Sequence, residues 1–255
     1  MNHIKAIGFD LFNTLVMAQP DILDRAFPRL QRSLEKDGLF PEEKAFKKAY
    51  YEAALTFINQ TREDGRETHN RFWISAALKT LGYEVLPDDP RISAAIEAYF
   101  SVFYDSCRRV PGAKAMLQEL KGDYQLGLLS NFTHWPAALE IMDRLELTPL
   151  FDIRLISGQL GYRKPHNQVF QKLIDGFGAT GDKIMGDEIM YVGDDVDADM
   201  NGALRAGLQP VWFTYVLDKK PPIPALMAPS AGAVPPENIP RVSTWTEFLT
   251  LIKMA

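Results

Sequence analysis

The chain holds a single cysteine, Cys107, in 255 residues, so no intrachain disulfide can form and nothing points to an oxidising compartment. It has no apolar run near the ~18 residues that a membrane-spanning helix needs. It has no surplus of positive charge: 28 lysines and arginines face 33 acidic residues, a net of −5. Proteins that bind duplex nucleic acid set cations against phosphates, so this balance argues against such a partner. No internal repeat is visible. The apolar N-terminus carries Lys5 and Asp10 and lacks a small-residue cleavage site, so it reads as a strand and not as a signal peptide. With 46% apolar and 24% charged residues, the chain is expected to be a globular, cytoplasmic protein of one or two domains.

What is present falls into two regimes. Residues 4–9 are short, partly β-branched and nearly all apolar, as in a strand buried on both faces, and they end at Asp10. From about 20 to 109 the pattern is a run of amphipathic helices without a convincing strand. Asp21 is a candidate cap for the first helix, and Pro28 is expected to break or kink it. Pro41-Glu42-Glu43 marks a second start, with acidic residues at the positive end of the helix dipole. Further helices are expected at 69–81 and 91–108.

After Pro111-Gly112 strands and helices alternate. Helices are expected at 113–120, 135–145, 168–177 and 200–206, and strands at 124–129, 152–156, 188–192 and 210–215. Alternation of this kind implies βαβ units and a parallel sheet. Such sheets bind ligands at the carboxyl ends of their strands. Here those positions are Asp10, Ser130-Asn131 and Gly193-Asp194-Asp195. Residues 221–240 hold seven of the 17 prolines and read as a surface loop before a last short strand and a helix at 244–252.

Four short motifs therefore sit at strand ends or loops, in one order. They are Asp10-Leu11-Phe12-Asn13-Thr14-Leu15, Leu129-Ser130-Asn131, Arg163-Lys164-Pro165, and Val192-Gly193-Asp194-Asp195-Val196-Asp197-Ala198-Asp199. Together they resemble the haloacid dehalogenase superfamily, in the subgroup with a helical cap inserted after the first strand. Pro111-Gly112, Phe151-Asp152, Gly202-Ala203 and Ala206-Gly207 support the likeness, which covers residues 4 to about 215. It implies an α/β fold: a Rossmann-like parallel-sheet core at 1–16 and 110–255, with a helical cap domain at 17–109.

The likeness also implies a chemistry. An ordinary aspartate has a pKa of about 4, so it is ionised at neutral pH and attacks phosphorus without a base. Asp10 is the candidate nucleophile, forming an aspartyl-phosphate that water then hydrolyses. Asp10, Asp194 and the backbone carbonyl of Phe12 are the family-like ligands for Mg²⁺, a hard ion that takes oxygen donors, with Asp199 orienting a ligand or a bound water. Lys164 would steady Asp10 and the phosphoryl group, and Ser130 and Asn131 would donate hydrogen bonds to phosphoryl oxygens. Thr14 is expected to support the first loop beside the phosphate site. The expected partner is a small phosphorylated molecule.

Other features take blander readings. Asp195, Asp197 and Asp199 alternate as in a calcium loop, but Met200 and Ala206 stand where that loop needs glycine and glutamate. Asp195 and Asp197 are read as a solvated helix start. His134 and Trp135 follow the second motif; a lone histidine is more often structural than functional. His166 reads as a helix cap or surface residue. Phe46, Tyr50, Tyr51, Phe72 and Trp73 recur near helical spacing and are assigned to the core of the cap.

One position departs from the family pattern. Phosphatases of this kind carry an aspartate two residues after the nucleophile, to protonate the leaving oxygen. Phe12 can do no such thing, and general acid–base help is worth roughly 10² to 10⁴ in rate. A slow phosphatase, a dehalogenase, a phosphonate hydrolase using Lys44, Lys47 or Lys48, and a non-catalytic phosphate-binding regulator all stay open. Against a dehalogenase stands the acidic fourth motif.

Overall fold

In a computed structural model, residues 3–180, 184–224, 227 and 234–254 are described. Six strands form one parallel sheet: β1 (Ala6–Phe9), β4 (Gln125–Ser130), β5 (Ile153–Ile156), β6 (Ile189–Gly193), β7 (Gln209–Phe213) and β8 (Arg241–Val242). Their order is β5-β4-β1-β6-β7-β8. The first strand is thus central, with β4 on one side and β6 on the other. Every residue of β1 and β6 is buried, which explains their unbroken apolar sequence. Phe9 anchors one face, meeting Phe151, Trp245 and Phe248 edge-on at 6.0–6.3 Å. Such aromatic pairs add about 0.5–1.5 kcal/mol each beyond the area they bury.

The expected strands of the core are all present, shifted by no more than two residues at their ends. Between them run α6 (Ala113–Leu120), α7 (Trp135–Arg144), α8 (Ser157–Leu160) and α9 (Asn167–Phe177). After β6 a π-helical turn at Val196–Asn201 leads into α10 (Gly202–Arg205), so this helical stretch begins earlier than residue 200. Beyond β7 lie α11 (Tyr215–Lys219) and α12 (Trp245–Lys253), the latter capped by the Thr244 hydroxyl, which accepts from Glu247 N. Of the proline-rich stretch 221–240, residues 225, 226 and 228–233 lie outside the described residues.

Four expectations need correction. The chain leaves the sheet through β2 (Val16–Ala18) and returns through β3 (Cys107–Arg109), and the two pair antiparallel as a small ribbon. No strand was expected there, because three residues are too few to show a period of two. The helix expected over 91–108 stops at Phe100 for the same reason: α4 (Pro90–Phe100) gives way to the short α5 (Phe103–Ser106) and then to β3. Nor does Pro28 break the first helix. The helix α1 (Ile22–Lys36) runs through it, its buried side formed by Ile22, Ala26, Phe27, Leu30 and Leu34. Tertiary packing of that face outweighs the hydrogen bond that proline removes. Asp21 occupies the cap position of this helix but its side chain makes no capping bond.

Between the ribbon strands, α1 packs on α4, and α2 (Glu43–Gln60) packs on α3 (Asn70–Thr80). Glu42 caps α2 by accepting from the backbone N–H groups of Lys44 and Ala45. The apolar core of these helices is continuous with one side of the sheet.

Candidate active site

The sheet order places the switch point at β1, flanked by β4 and β6, and the carboxyl ends of these three strands carry three of the four motifs. Asp10 extends β1 by one residue, its N–H donating to Val192 O at 2.9 Å. The chain then turns tightly: Leu15 and Val16 both donate to Leu11 O at 2.8 Å, and Asn13 takes a left-handed φ of 61°. Asparagine is among the few residues other than glycine that reach this region readily. The turn brings the Phe12 ring onto Phe132, stacked at 5.0 Å. Thr14 is fully buried, away from the cavity wall, and its hydroxyl finds no partner among the described residues.

Lys164 lies at the centre. Its ammonium stands 2.6 Å from Asp10 Oδ1 and 2.6 Å from Asp199 Oδ1, and it donates to the Tyr191 hydroxyl at 3.0 Å. Tyr191 in turn donates to Leu129 O at 2.9 Å. Burial alone would push the Lys164 amine down, but Asp10 and Asp199 outweigh it and hold it well above the ordinary lysine range. The Asn131 side chain fixes the lysine from behind. Its Oδ1 accepts from Lys164 N at 2.7 Å and its Nδ2 donates to Lys164 O at 2.9 Å. Of the two Asn131 donors weighed from sequence, the side chain is therefore committed to the lysine backbone. Ser130, almost fully buried at the end of β4, lines the same cavity.

Asp10, Asp194 and Asp199 each bring a carboxylate oxygen to within 4.8 Å of the others, and all three are buried. Gly193 permits this: a Cβ there would lie 2.3 Å from Asp199 Oδ2. That oxygen instead accepts from Asp195 N at 3.0 Å. The Asp195 carboxylate caps the following turn, accepting from the N–H groups of Asp197 and Ala198, and Asp197 is exposed, as the helix-start reading expects. Trp212 Nε1 donates to Asp194 O at 3.0 Å and holds that loop. Burial, then the charges of Asp10 and Asp199, push the Asp194 carboxyl well above its ordinary value. Burial, only partly offset by Lys164, pushes Asp199 up to about 6.

Three carboxylates against the one ammonium that touches two of them leave two negative charges if all ionise. A buried excess of that size is costly unless a cation joins it. The donors are all oxygen and hard, which fits a divalent ion of the Mg²⁺ or Ca²⁺ type better than a softer metal.

A cavity of about 840 Å³ opens above these groups, between the sheet and the inserted helices. The helical aromatics pack in or against the apolar core, as expected, and three of them also reach the cavity's upper wall. Tyr50, Tyr51 and Trp73 line it, while Phe46 and Phe72 do not. Helical spacing identifies an apolar face but not whether that face meets another helix or a void. Lys44, Lys47 and Lys48 are absent from the wall; Lys47 pairs with Asp24 and Lys48 with Glu52. His134 lies behind it, stacked on Phe100 at 4.7 Å with Nε2 3.0 Å from Glu97 Oε1, and burial lowers its pKa to about 4. Trp135 is partly exposed at the start of α7, away from the cavity. His166 caps α9, accepting from Gln168 N. Sequence reasoning missed Tyr191 and Glu67. The first has no motif beyond being a polar-tipped ring inside a strand. Glu67 sits in the link between α2 and α3, where burial pushes its carboxyl up beside Ser157 and Arg163.

A parallel sheet with an aspartate after its central strand, a buried lysine against it and an acidic loop after the neighbouring strand defines a hydrolase of the α/β class. The model of the haloacid dehalogenase-like hydrolase family matches residues 4–207, and the chain belongs to that family. It is 30% identical over 217 residues to glyceraldehyde 3-phosphate phosphatase of Pyrococcus abyssi (strain GE5 / Orsay), covering 83% of this chain and 82% of that one. It is 29% identical over 213 residues to ribulose-1,5-bisphosphate 5-phosphatase of Halopiger xanaduensis, covering 82% and 84%. In fold it resembles the crystal structure of 2-haloacid dehalogenase from Pseudomonas syringae pv. Tomato DC3000, with a TM-score of 0.69, 20% identity and coverage of 99% and 100%. Among the described residues no helix is long and apolar enough to cross a membrane.

Proposed function

We propose that the protein is a metal-dependent, cytoplasmic phosphatase acting on a small phosphorylated metabolite. The observation that carries this reading is the buried trio Asp10, Asp194 and Asp199, with a single ammonium pairing two of its members. Relatives with names of small-molecule phosphatases support it. Asp10, Asp194 and the Phe12 carbonyl would hold Mg²⁺, with Asp199 orienting the set; bound there, the ion neutralises charge on the phosphoryl oxygens.

An Asp10 carboxylate oxygen attacks phosphorus as the bond to the ester oxygen breaks, and the leaving group departs with the electron pair. Water then attacks phosphorus, releasing phosphate and restoring Asp10. Lys164 keeps the nucleophile in place and offsets charge on it. Ser130 and the Asn131 backbone receive the phosphoryl oxygens at the end of β4. Residues 17–109 act as a cap that closes the cavity over the substrate.

A dehalogenase reading draws on Phe12, since halide needs no proton, and on the fold of the dehalogenase neighbour. One assay separates the two. Phosphate release from an aryl phosphate should require Mg²⁺ and vanish with a chelator, while a chlorinated carboxylic acid should yield no halide. Metal-independent halide release would overturn the phosphatase reading.

The Phe12→Asp variant tests the account of leaving-group chemistry. A carboxyl there would line the same cavity as three others, and like charge raises its pKa toward the range of a general acid. Turnover of alkyl phosphates should rise about tenfold or more, toward the roughly 10²-fold floor of acid–base catalysis. Thermal stability should fall, because the stack on Phe132 is lost. Unchanged or lower alkyl turnover in a folded variant refutes the account.

A further inference from the structure

We infer that the substrate is a phosphate ester of an aromatic alcohol or phenol, with few hydroxyl groups on its organic part. This rests on the phosphatase reading and deepens it.

The cavity, at about 840 Å³, lies toward the upper end of the roughly 300–1,000 Å³ that enclose drug-sized ligands. A three-carbon phosphate would leave most of it unfilled. Away from the carboxylates its wall is built of rings: Tyr50 and Tyr51 from α2, Trp73 from α3, Tyr99 and Phe100 from α4, and Phe132 after β4. Flat aromatic walls of this kind favour a ring, offset or edge-on, over a flexible polar chain.

Most of the polar side chains in the same wall are already engaged, an exception being the Trp73 indole N–H, which has no partner among the described residues. The Thr133 hydroxyl donates to Asn70 Oδ1, and Asn70 Nδ2 donates to the Tyr50 hydroxyl at 2.7 Å. Glu67 accepts from the Ser157 hydroxyl and from Thr68 N. Arg163 donates to Ile58 O at 3.0 Å and to the Thr61 hydroxyl at 3.2 Å, and lies 3.6 Å from Glu67. A polyhydroxylated substrate would lose its water and find these partners taken, which is the penalty attached to unmade buried hydrogen bonds. An aromatic body asks for no such partners.

The rim agrees. Leu55 and Ile58 lie three residues apart on α2, line the cavity, and are 61% and 36% exposed. They give the mouth an apolar lip. Position 12 points the same way, because Phe12 adds a ring stacked on Phe132 where an acid would protonate an alkoxide. A phenolate departs with the P–O electron pair unassisted and takes its proton from water afterwards.

The test uses substrates matched in leaving group, so that ring preference is read apart from leaving-group ability. With Mg²⁺, kcat/KM for 2-phenylethyl phosphate should exceed that for glycerol 1-phosphate at least tenfold. The exposed double variant Leu55→Asn, Ile58→Asn should shrink that ratio at least threefold. Calorimetry on the intact protein should give benzylphosphonate at least tenfold tighter binding than 2-hydroxyethylphosphonate. Equal or reversed preference in turnover and binding overturns the inference and leaves the phosphatase reading standing. Tighter benzylphosphonate binding with no Mg²⁺-dependent hydrolysis of either ester or of an aryl phosphate upholds the ring preference and refutes the phosphatase reading. Equal binding of the two phosphonates refutes the inference whatever the turnover.

Discussion

Substituting methionine for Lys164 is expected to lower the melting temperature by roughly 6–20 °C and to abolish hydrolysis. The side chain is of similar length and apolar, so the variant removes a charge more than a volume. In the native protein that charge touches two buried carboxylates at 2.6 Å and a buried hydroxyl at 3.0 Å. Taking one partner out of a buried ion pair typically costs about 3–5 kcal/mol, mostly because the other is left uncompensated. Here two are left, beside a third. Each kcal/mol shifts the midpoint of a chain of this size by about 2–4 °C. The loss of activity has a separate cause: nothing then offsets the nucleophile or the incoming phosphoryl group. Thermal unfolding followed by circular dichroism checks the first effect, with and without Mg²⁺. A midpoint within about 2 °C of wild type would mean that the carboxylates do not depend on this ammonium.

The parts of this site that were legible beforehand share one physical property. Asp10 and Asp194 each follow, and Ser130 ends, a strand buried on both sides, where an apolar run stops at a polar residue. That contrast survives in sequence because a fully buried parallel strand tolerates no polar interruption. The ribbon β2–β3 escaped because its strands have three residues each, and Pro28 does not end its helix because packing decides helix continuity more than propensity does. Tyr191 illustrates a deeper limit. Its ring belongs to the core of β6 and only its oxygen belongs to the site, through Lys164, which is distant in sequence. Asn131 differs again: its motif identified the residue, but only the fold shows its side chain clasping the lysine backbone. For Tyr50, Tyr51 and Trp73 the pattern distinguished apolar from polar faces and could not distinguish core from cavity.

Converting Asp10 to asparagine should leave a folded protein that has lost its turnover by about 10⁴-fold or more, the scale seen when a nucleophile is removed. Asparagine matches aspartate in shape, yet its amide is a far poorer nucleophile. The stability change should run opposite to that of the lysine variant. The substitution takes one negative charge out of a trio that faces a single ammonium, so the metal-free midpoint should hold or rise. The pH dependence should change with it. Burial lifts Asp199 from 3.8 to about 6, and burial followed by the charge of Asp10 lifts Asp194 further from its ordinary range. A carboxyl raised in the folded state keeps its proton where the unfolded chain has released it. Its contribution is therefore fully present below about pH 4 and is lost as pH rises through about 6. Metal-free wild type should lose stability over that window, the Asp10→Asn variant should lose less, and saturating Mg²⁺ should flatten the wild-type curve by binding the folded state alone. Residual hydrolysis of an aryl phosphate within tenfold of wild type would remove Asp10 from the role of nucleophile. A steeper pH profile in the variant would show that its charge does not act on its neighbours.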